Sequence, residues 1–191
     1  GGEFRKWYGN NSYVADWHDD GAAMRSFPGS VIRNASYYFR EGITWSSLTI
    51  SRLSMRYSPR GFLFESKGSI CFFSEPWQTA YFLGFANSLL VSKLLQAISP
   101  TADYHEGPLG RLPARLGDTY AMSCICEIVA AAVAIARTDW DYFETSSGFG
   151  SSPLLIERHP DSIERKFDAT RESLAFVPPE AGTSIRAHDL H

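Results

Sequence analysis

The hydrophobic pattern of the chain changes near Thr79, and this change constrains the fold more than any other feature of the sequence. Before it, short segments rich in aromatic and β-branched residues are separated by turn signals such as Asn10-Asn11 and Pro28-Gly29. These segments are residues 13–17, 37–39, 43–45, 54–57, 62–65 and 70–73. The pattern predicts a mixed or antiparallel sheet of short strands in the first third. A turn at residues 59–61 is expected to display Arg60.

After Thr79, apolar residues recur at helical spacing until Pro100, which predicts a core helix packed against the sheet. A second helix is predicted from Asp118 or Thr119, either of which can cap it, to about Arg137. A third helix is predicted over residues 160–175, followed by a loose tail. The expected fold class is therefore α+β, with the sheet first and long packed helices after it.

The predicted second helix contains an almost continuous apolar run at residues 121–136, interrupted by Glu127. Sixteen residues with a charge near the middle are short for a membrane span of about twenty residues. We therefore expect a helix packed within protein, and no membrane partner.

Positive charge is concentrated in the first part of the chain. Residues 1–70 carry nine basic and six acidic side chains, and residues 71–191 carry nine and fifteen. Seven of the basic residues lie between Arg25 and Lys67, where the only acidic residues are Glu41 and Glu65. Such a field with interleaved Ser, Thr, Tyr and Trp suits a phosphate-binding surface. From charge alone, a solvated surface without a partner is equally consistent.

Other groupings of reactive residues favour no catalytic site. The three cysteines lack a disulfide or zinc framework, which predicts reduced, buried thiols in a cytoplasmic protein. The acidic residues of 139–144 are expected to cap and solvate the end of the second helix rather than bind a metal, with Trp140 and Phe143 buried. Asp161 and the Glu-x-Lys at 164–166 lie too close together to favour a nuclease.

Several longer motifs resemble one family, the PglX adenine-specific DNA methyltransferases of BREX phage-exclusion systems. The motifs are FRKWYGNN at residues 4–11, EGITWSS at 41–47, RYSPRGF at 56–62, YFLGFANS at 81–88, and DWDYFETS at 139–146 followed by PLL at 153–155. The resemblance implies a C-terminal target-recognition region, in three parts: a target-recognition-like α+β domain at 1–117, a helical spacer at 118–155, and an unassigned helix and tail at 156–191. The chain departs from the family pattern at Ser147-Gly148, and the resemblance ends after Leu155.

The resemblance also implies that the parent protein methylates adenine N6 in DNA with S-adenosylmethionine as methyl donor. That chemistry needs an Asn-Pro-Pro-Tyr-type loop to hold the flipped adenine. The chain contains no Asn-Pro dipeptide, and its glycine-rich stretch at 148–151 lacks the spacing of a methyl-donor site. We therefore expect a fragment that is inert alone and binds no cofactor. Because the chain begins at Gly1-Gly2 without Met, it is expected to be cut from a larger protein, although a tag scar also fits.

The expected role is recognition of double-stranded DNA, with the missing N-terminal methyltransferase domain as a second partner. Trp45 is expected in the core. The candidate DNA-binding residues are Thr44, Ser46, Ser47, Arg52, Arg56, Arg60 and Lys67. For the basic residues among them, a phosphate contact or an exposed charge is expected more often than a base contact. Arg5, Lys6 and Trp7 are assigned either to DNA or to the junction with the missing domain. An alternative is a protein-interaction domain that docks other defence proteins through its acidic, helical second half.

Overall fold

The computed structural model describes residues 3–49, 51–65, 67–98 and 103–153, together with Asp168 and Glu172. Its centre is a three-stranded antiparallel sheet formed by β1 (Gly42–Trp45), β2 (Met55–Ser58) and β3 (Ile70–Cys71), in the order β2-β1-β3. Helices follow the sheet in the sequence, so the α+β class predicted from the change of hydrophobic pattern is confirmed.

The N-terminal segment extends the sheet on its β2 side. The Trp7 N–H donates to the Met55 carbonyl at 3.0 Å, and the Tyr57 N–H donates to the Trp7 carbonyl at 2.7 Å. These two bonds form an isolated parallel bridge between Trp7 and Arg56. Strand β2 is therefore hydrogen-bonded on both sides, by β1 and by the first residues of the chain.

Three of the six predicted strands are present and three are wrong. Residues 43–45, 54–57 and 70–73 contain β1, β2 and β3, with small shifts in their ends. Residues 13–17 form no strand, and residues 37–39 lie at the end of a 3-10 turn, η1 (Ala35–Tyr37). Of residues 62–65, Glu65 alone makes an isolated bridge. The aromatic rings of these segments pack on one another instead of joining a strand ladder. The ring centroids of Tyr38 and Phe64, for example, are 5.1 Å apart.

Helix α1 (His18–Ser26) precedes the sheet, and a break divides the helix predicted between Thr79 and Pro100 into two. Helix α2 (Pro76–Ala86) and helix α3 (Leu89–Ile98) meet at an angle of 67°. Helix α2 begins earlier than predicted because proline suits its first turn and Glu75 caps it. The short helix α4 (Glu106–Leu109) follows α3.

The last described helix, α5 (Thr119–Trp140), begins where it was predicted. The Asp118 carboxylate caps it by accepting from the Ala121 N–H at 2.8 Å. The helix has 22 residues, longer than the apolar run that it contains, and an 18-residue window with a mean hydropathy of 1.8. By length and composition this helix could cross a membrane. The core helix of a folded domain can have the same length and composition. Here it packs along α2, where Gly84 gives room to Val129.

The core lies between the sheet and these helices. Its largest fully buried side chains are Ile43, Trp45, Leu83, Val91, Leu95, Cys126 and Val133. Trp45 is in the core as predicted, and its indole N–H donates to the Tyr104 carbonyl at 2.8 Å. Trp140 is buried as predicted, but Phe143 is 49% exposed, because it lies past the end of α5. The helix predicted at 160–175 lies outside the described residues, apart from Asp168 and Glu172, and the domain limits at 117 and 155 stay predictions.

Candidate nucleic-acid interface

The outer face of the sheet carries a polar cavity beside Arg56. Side chains two residues apart on a strand share a face, and Thr44 pairs directly with Arg56 across β1 and β2. The alternate residues Ile43 and Trp45 point into the core, so Thr44 and Arg56 face the other way. The cavity has a volume of about 150 Å³. It is lined by Asn10, Asn11, Thr44, Ser46, Arg56, Ser58, Phe62, Leu63, Phe64, Glu65, Gly68 and Ile70.

Arg56 is a buried residue of the cavity lining, which also includes the carboxylate residue Glu65. The residue is 5% exposed, and its Nη2 donates to the Ser46 hydroxyl at 3.3 Å. Within the described part of the chain, its Nε and Nη1 atoms are buried and have no hydrogen-bond partner. Burial lowers the pKa of the guanidinium to about 10, so it stays charged at neutral pH. The arrangement places a desolvated cation under a small polar cavity.

Two other candidate hydroxyls are engaged within the protein. The Thr44 hydroxyl donates to the Ser69 carbonyl at 2.9 Å, and the Ser47 hydroxyl donates to the Lys67 carbonyl at 3.4 Å. Ser47 is itself buried, whereas the Lys67 side chain is exposed. The hydroxyls of Thr44 and Ser47 thus hold the segment before β3 against the end of β1, while the Lys67 ammonium group remains at the surface.

Arg52 and Arg60 are also at the surface. Arg60 lies on the turn after β2, as predicted, with its side chain 83% exposed and its Nε 3.9 Å from the Glu41 carboxylate. Arg52 lies in the connection between β1 and β2 and is exposed. The candidate residues therefore form two groups, with Thr44, Ser46 and Arg56 around the cavity and the exposed cations Arg52, Arg60 and Lys67 outside it.

Arg5, Lys6 and Trp7 make contacts within the chain. The Arg5 guanidinium bonds the Asp139 carboxylate at 2.8 Å and lies 5.0 Å from the centroid of the Trp140 ring. The Lys6 ammonium group donates to the Asn87 carbonyl at 2.8 Å, and burial, followed by the charge of Arg52, lowers its pKa. These contacts link the N-terminal segment to the ends of α2 and α5.

Sequence reasoning missed the residues that complete the cavity. Asn10 and Asn11 were interpreted as a turn signal, and Ser58 was named only as part of the RYSPRGF motif. Both asparagines line the cavity because Trp7 holds the N-terminal segment beside β2. Their position in one of the family-like motifs was a usable signal, since FRKWYGNN and RYSPRGF both supply residues of the cavity lining.

A larger, mainly apolar cavity of about 1040 Å³ opens between the sheet and helices α2 and α4. Aromatic side chains such as Tyr38, Phe72 and Phe82 line it, and Glu106 lies at its edge, bonded to the Ser69 hydroxyl. Among the described residues, no group of three or more His, Cys, Asp or Glu side chains is placed to hold a metal ion. The cavity beside Arg56 and the exposed cations Arg52, Arg60 and Lys67 are thus the main candidate site.

Two curated proteins are similar to the chain over most of its length, while no protein-family model matches it. The adenine-specific methyltransferase PglX of Lacticaseibacillus casei (strain Zhang) is 38% identical over 162 residues, which is 81% of this chain and 13% of that protein. The adenine-specific methyltransferase BrxX of Escherichia coli O9:H4 (strain HS) is 32% identical over 157 residues, which is 81% of this chain and 12% of that protein. The chain thus spans about an eighth of the length of these relatives. Over four fifths of its length, the chain is therefore homologous to a region of the PglX-family adenine-specific methyltransferases.

Proposed function

We propose that this chain is the DNA sequence-recognition region of an S-adenosylmethionine-dependent N6-adenine methyltransferase in a bacterial phage-defence system. Its place is cytoplasmic, and its partners are double-stranded DNA and the methyltransferase domain of the same protein. The observation that carries the proposal is the buried Arg56 in the lining of a cavity on the outer face of the sheet, together with the exposed cations Arg52, Arg60 and Lys67 in the connections next to the strands.

The homology supports a place for this chain within an adenine-specific methyltransferase. The residues of the chain support recognition of DNA rather than transfer of the methyl group. Adenine methylation needs a loop that holds the extruded base, for which the Asn-Pro-Pro-Tyr type is the expected form. The chain has no Asn-Pro dipeptide. Exposed arginine and lysine side chains near hydroxyl and amide groups are what phosphate positioning and base reading use.

The salt dependence of DNA binding tests this proposal. Fluorescence anisotropy with a labelled duplex is measured over a series of salt concentrations for the chain and for three charge reversals, Arg52→Glu, Arg60→Glu and Lys67→Glu. We expect weakened binding and a shallower dependence on salt, by about one unit of log–log slope for each phosphate contact removed.

Lys93→Glu and Arg111→Glu are matched controls, since both residues are exposed and lie in the helical part of the chain. They change the net charge by the same amount as the reversals on the sheet. If all five variants lose DNA binding equally, the effect is one of net charge and the proposed interface is wrong.

A second function, docking of other proteins, is favoured by the outer side of α5. Tyr120, Ile128 and Ile135 are 80%, 68% and 63% exposed, and they lie seven or eight residues apart on the helix. Such spacing puts apolar side chains on one side of a helix. An apolar docking surface depends weakly on salt, so Ile128→Asp and Ile135→Asp would reduce complex formation while leaving DNA binding and its salt dependence unchanged.

A further inference from the structure

We propose that the cavity beside Arg56 binds a phosphate group. The cavity is small and formed by residues distant in sequence, and its lining includes the polar side chains of Asn10, Asn11, Ser46 and Ser58. Arg56 lines this cavity and is 95% buried. In the described part of the chain, two of its three guanidinium nitrogens have no hydrogen-bond partner.

The charge of Arg56 determines the class of ligand. A buried guanidinium without an anion is costly, because burial removes the hydration that stabilises the charge. A neutral ligand would accept hydrogen bonds but leave the charge unbalanced, whereas an oxyanion would balance the charge and accept charge-assisted hydrogen bonds. Arginine is also the side chain whose planar donors best match phosphate oxygens.

The size of the cavity narrows the choice further. At about 150 Å³, it is smaller than the roughly 300–1,000 Å³ that accommodates drug-sized ligands. A single phosphate group fits a cavity of this scale, and the hydroxyls of Ser46 and Ser58 and the amides of Asn10 and Asn11 supply neutral donors around it. One carboxylate, that of Glu65, also lines the cavity; its exposed position lets it face solvent.

The phosphate could come from the backbone of DNA or from a free phosphate compound. The DNA source rests on the proposed function, whereas a site for free phosphate does not. The chemistry is the same in both cases, so the experiment has one arm for inorganic phosphate and another for a short DNA duplex.

The first arm follows the side chain itself. In the full chain labelled with ¹⁵N-arginine, the Nε–H signal of Arg56 is identified by its loss in Arg56→Lys. Titration with inorganic phosphate at constant ionic strength, against chloride, is expected to shift this signal with saturation and to raise the melting temperature. Arg56→Met is expected to weaken phosphate binding about tenfold or more, because it removes hydrogen bonds to a charged group.

Arg111→Ala is the matched control, since this exposed arginine lies outside both the cavity lining and the proposed DNA interface, and it should bind phosphate within about twofold of the unaltered chain. Ser46→Ala and Ser58→Ala keep the buried cation and should each weaken binding severalfold. They keep the test usable if Arg56→Met does not fold.

In the second arm, a DNA duplex should displace inorganic phosphate and move the same Nε–H signal. If phosphate binds through Arg56 but DNA neither binds nor competes, the phosphate site stands and the proposed DNA recognition fails. If phosphate and chloride act alike on the Arg56 signal, or if guanosine shifts it and phosphate does not, the inference is overturned, even where DNA binding through the exposed cations persists.

Discussion

The side-chain amide of Asn87 forms two hydrogen bonds with the backbone of Met55. Its Oδ1 accepts from the Met55 N–H at 3.0 Å, and its Nδ2 donates to the Met55 carbonyl at 2.9 Å. Asn87 caps the end of α2, and Met55 begins β2, so one buried side chain fixes the helix to the strand that carries Arg56.

Replacing Asn87 by alanine should lower the free energy of unfolding by about 2–3 kcal/mol, because the buried Met55 N–H loses its partner. Urea denaturation followed by circular dichroism measures the change. Ser92→Ala, a substitution in α3 that removes a hydroxyl bonded to the Ser88 carbonyl at 3.3 Å, is a suitable control and should cost much less. Equal costs in the two variants would contradict the role given to Asn87.

Gly84→Ala should destabilise the packing of α2 on α5. A Cβ atom at Gly84 would lie 2.8 Å from Cγ2 of Val129 and 3.3 Å from Cγ2 of Ile125. Overpacking of this kind costs about 1–3 kcal/mol.

The matching variant Val129→Ala removes the closest methyl group. In the double variant, the effect of Gly84→Ala should therefore shrink, giving a coupling free energy of about 1 kcal/mol in a double-mutant cycle. Strictly additive effects, measured by thermal unfolding, would show that the two helices separate to accommodate the methyl group.

Arg56→Met should stabilise the ligand-free chain by about 1–3 kcal/mol at neutral pH. A flexible apolar side chain replaces a buried cation whose pKa burial lowers to about 10, and such replacements are often stabilising. Differential scanning calorimetry in chloride buffer checks this. A large loss of stability in Arg56→Met, with Arg56→Lys unaffected, would show that the charge is balanced inside the folded chain.

The hydrogen bond from the Ser69 hydroxyl to the Glu106 carboxylate should make stability depend on pH. It is the main cause that lowers the pKa of Glu106 below its ordinary value of 4.5. A lowered pKa in the folded state adds stability that is complete above the ordinary value and is lost as the pH falls through the folded value.

Ser69→Ala should therefore destabilise the chain at pH 7 and have less effect near pH 3. Chemical denaturation at the two pH values, with the Ser69→Thr variant as a control that keeps a hydroxyl, measures the difference. A pH-independent cost would assign the effect of Ser69 to packing.

The sequence was sufficient for the class of the fold and for single core residues such as Trp45 and Trp140. Trp45 in the core and the start of α5 at Asp118 follow from composition, periodicity and capping, which are local signals. The break between α2 and α3 was not predicted, although Ser88 supplies a local cap there by accepting from the Val91 N–H at 3.2 Å; the bond from Asn87 to Met55, 32 residues away in sequence, could not be read from the pattern. Residues 37–39 resembled a strand because ring packing and strand pairing favour the same aromatic residues.

The candidate site was predicted as a set of residue types and not as an arrangement. The alternation of side chains along β2 places Arg56 on the face opposite the core. For a basic residue on that face, an exposed side chain was expected. Its burial results from Asn10, Asn11 and the segment after β2, which cover that face. Arg52, Arg60 and Lys67 are exposed because they lie in the connections outside the strands, where no segment covers them.

The pairing of Trp7 with β2 has a practical consequence for dissecting the chain. Trp7 occupies a hydrogen-bonding edge that would otherwise be open. A version shortened past Tyr8 would expose that edge to strands of other molecules, and unpaired edges promote aggregation. Loss of function in such a truncation would then report self-association, so the boundary of any minimal recognition fragment belongs before Arg5.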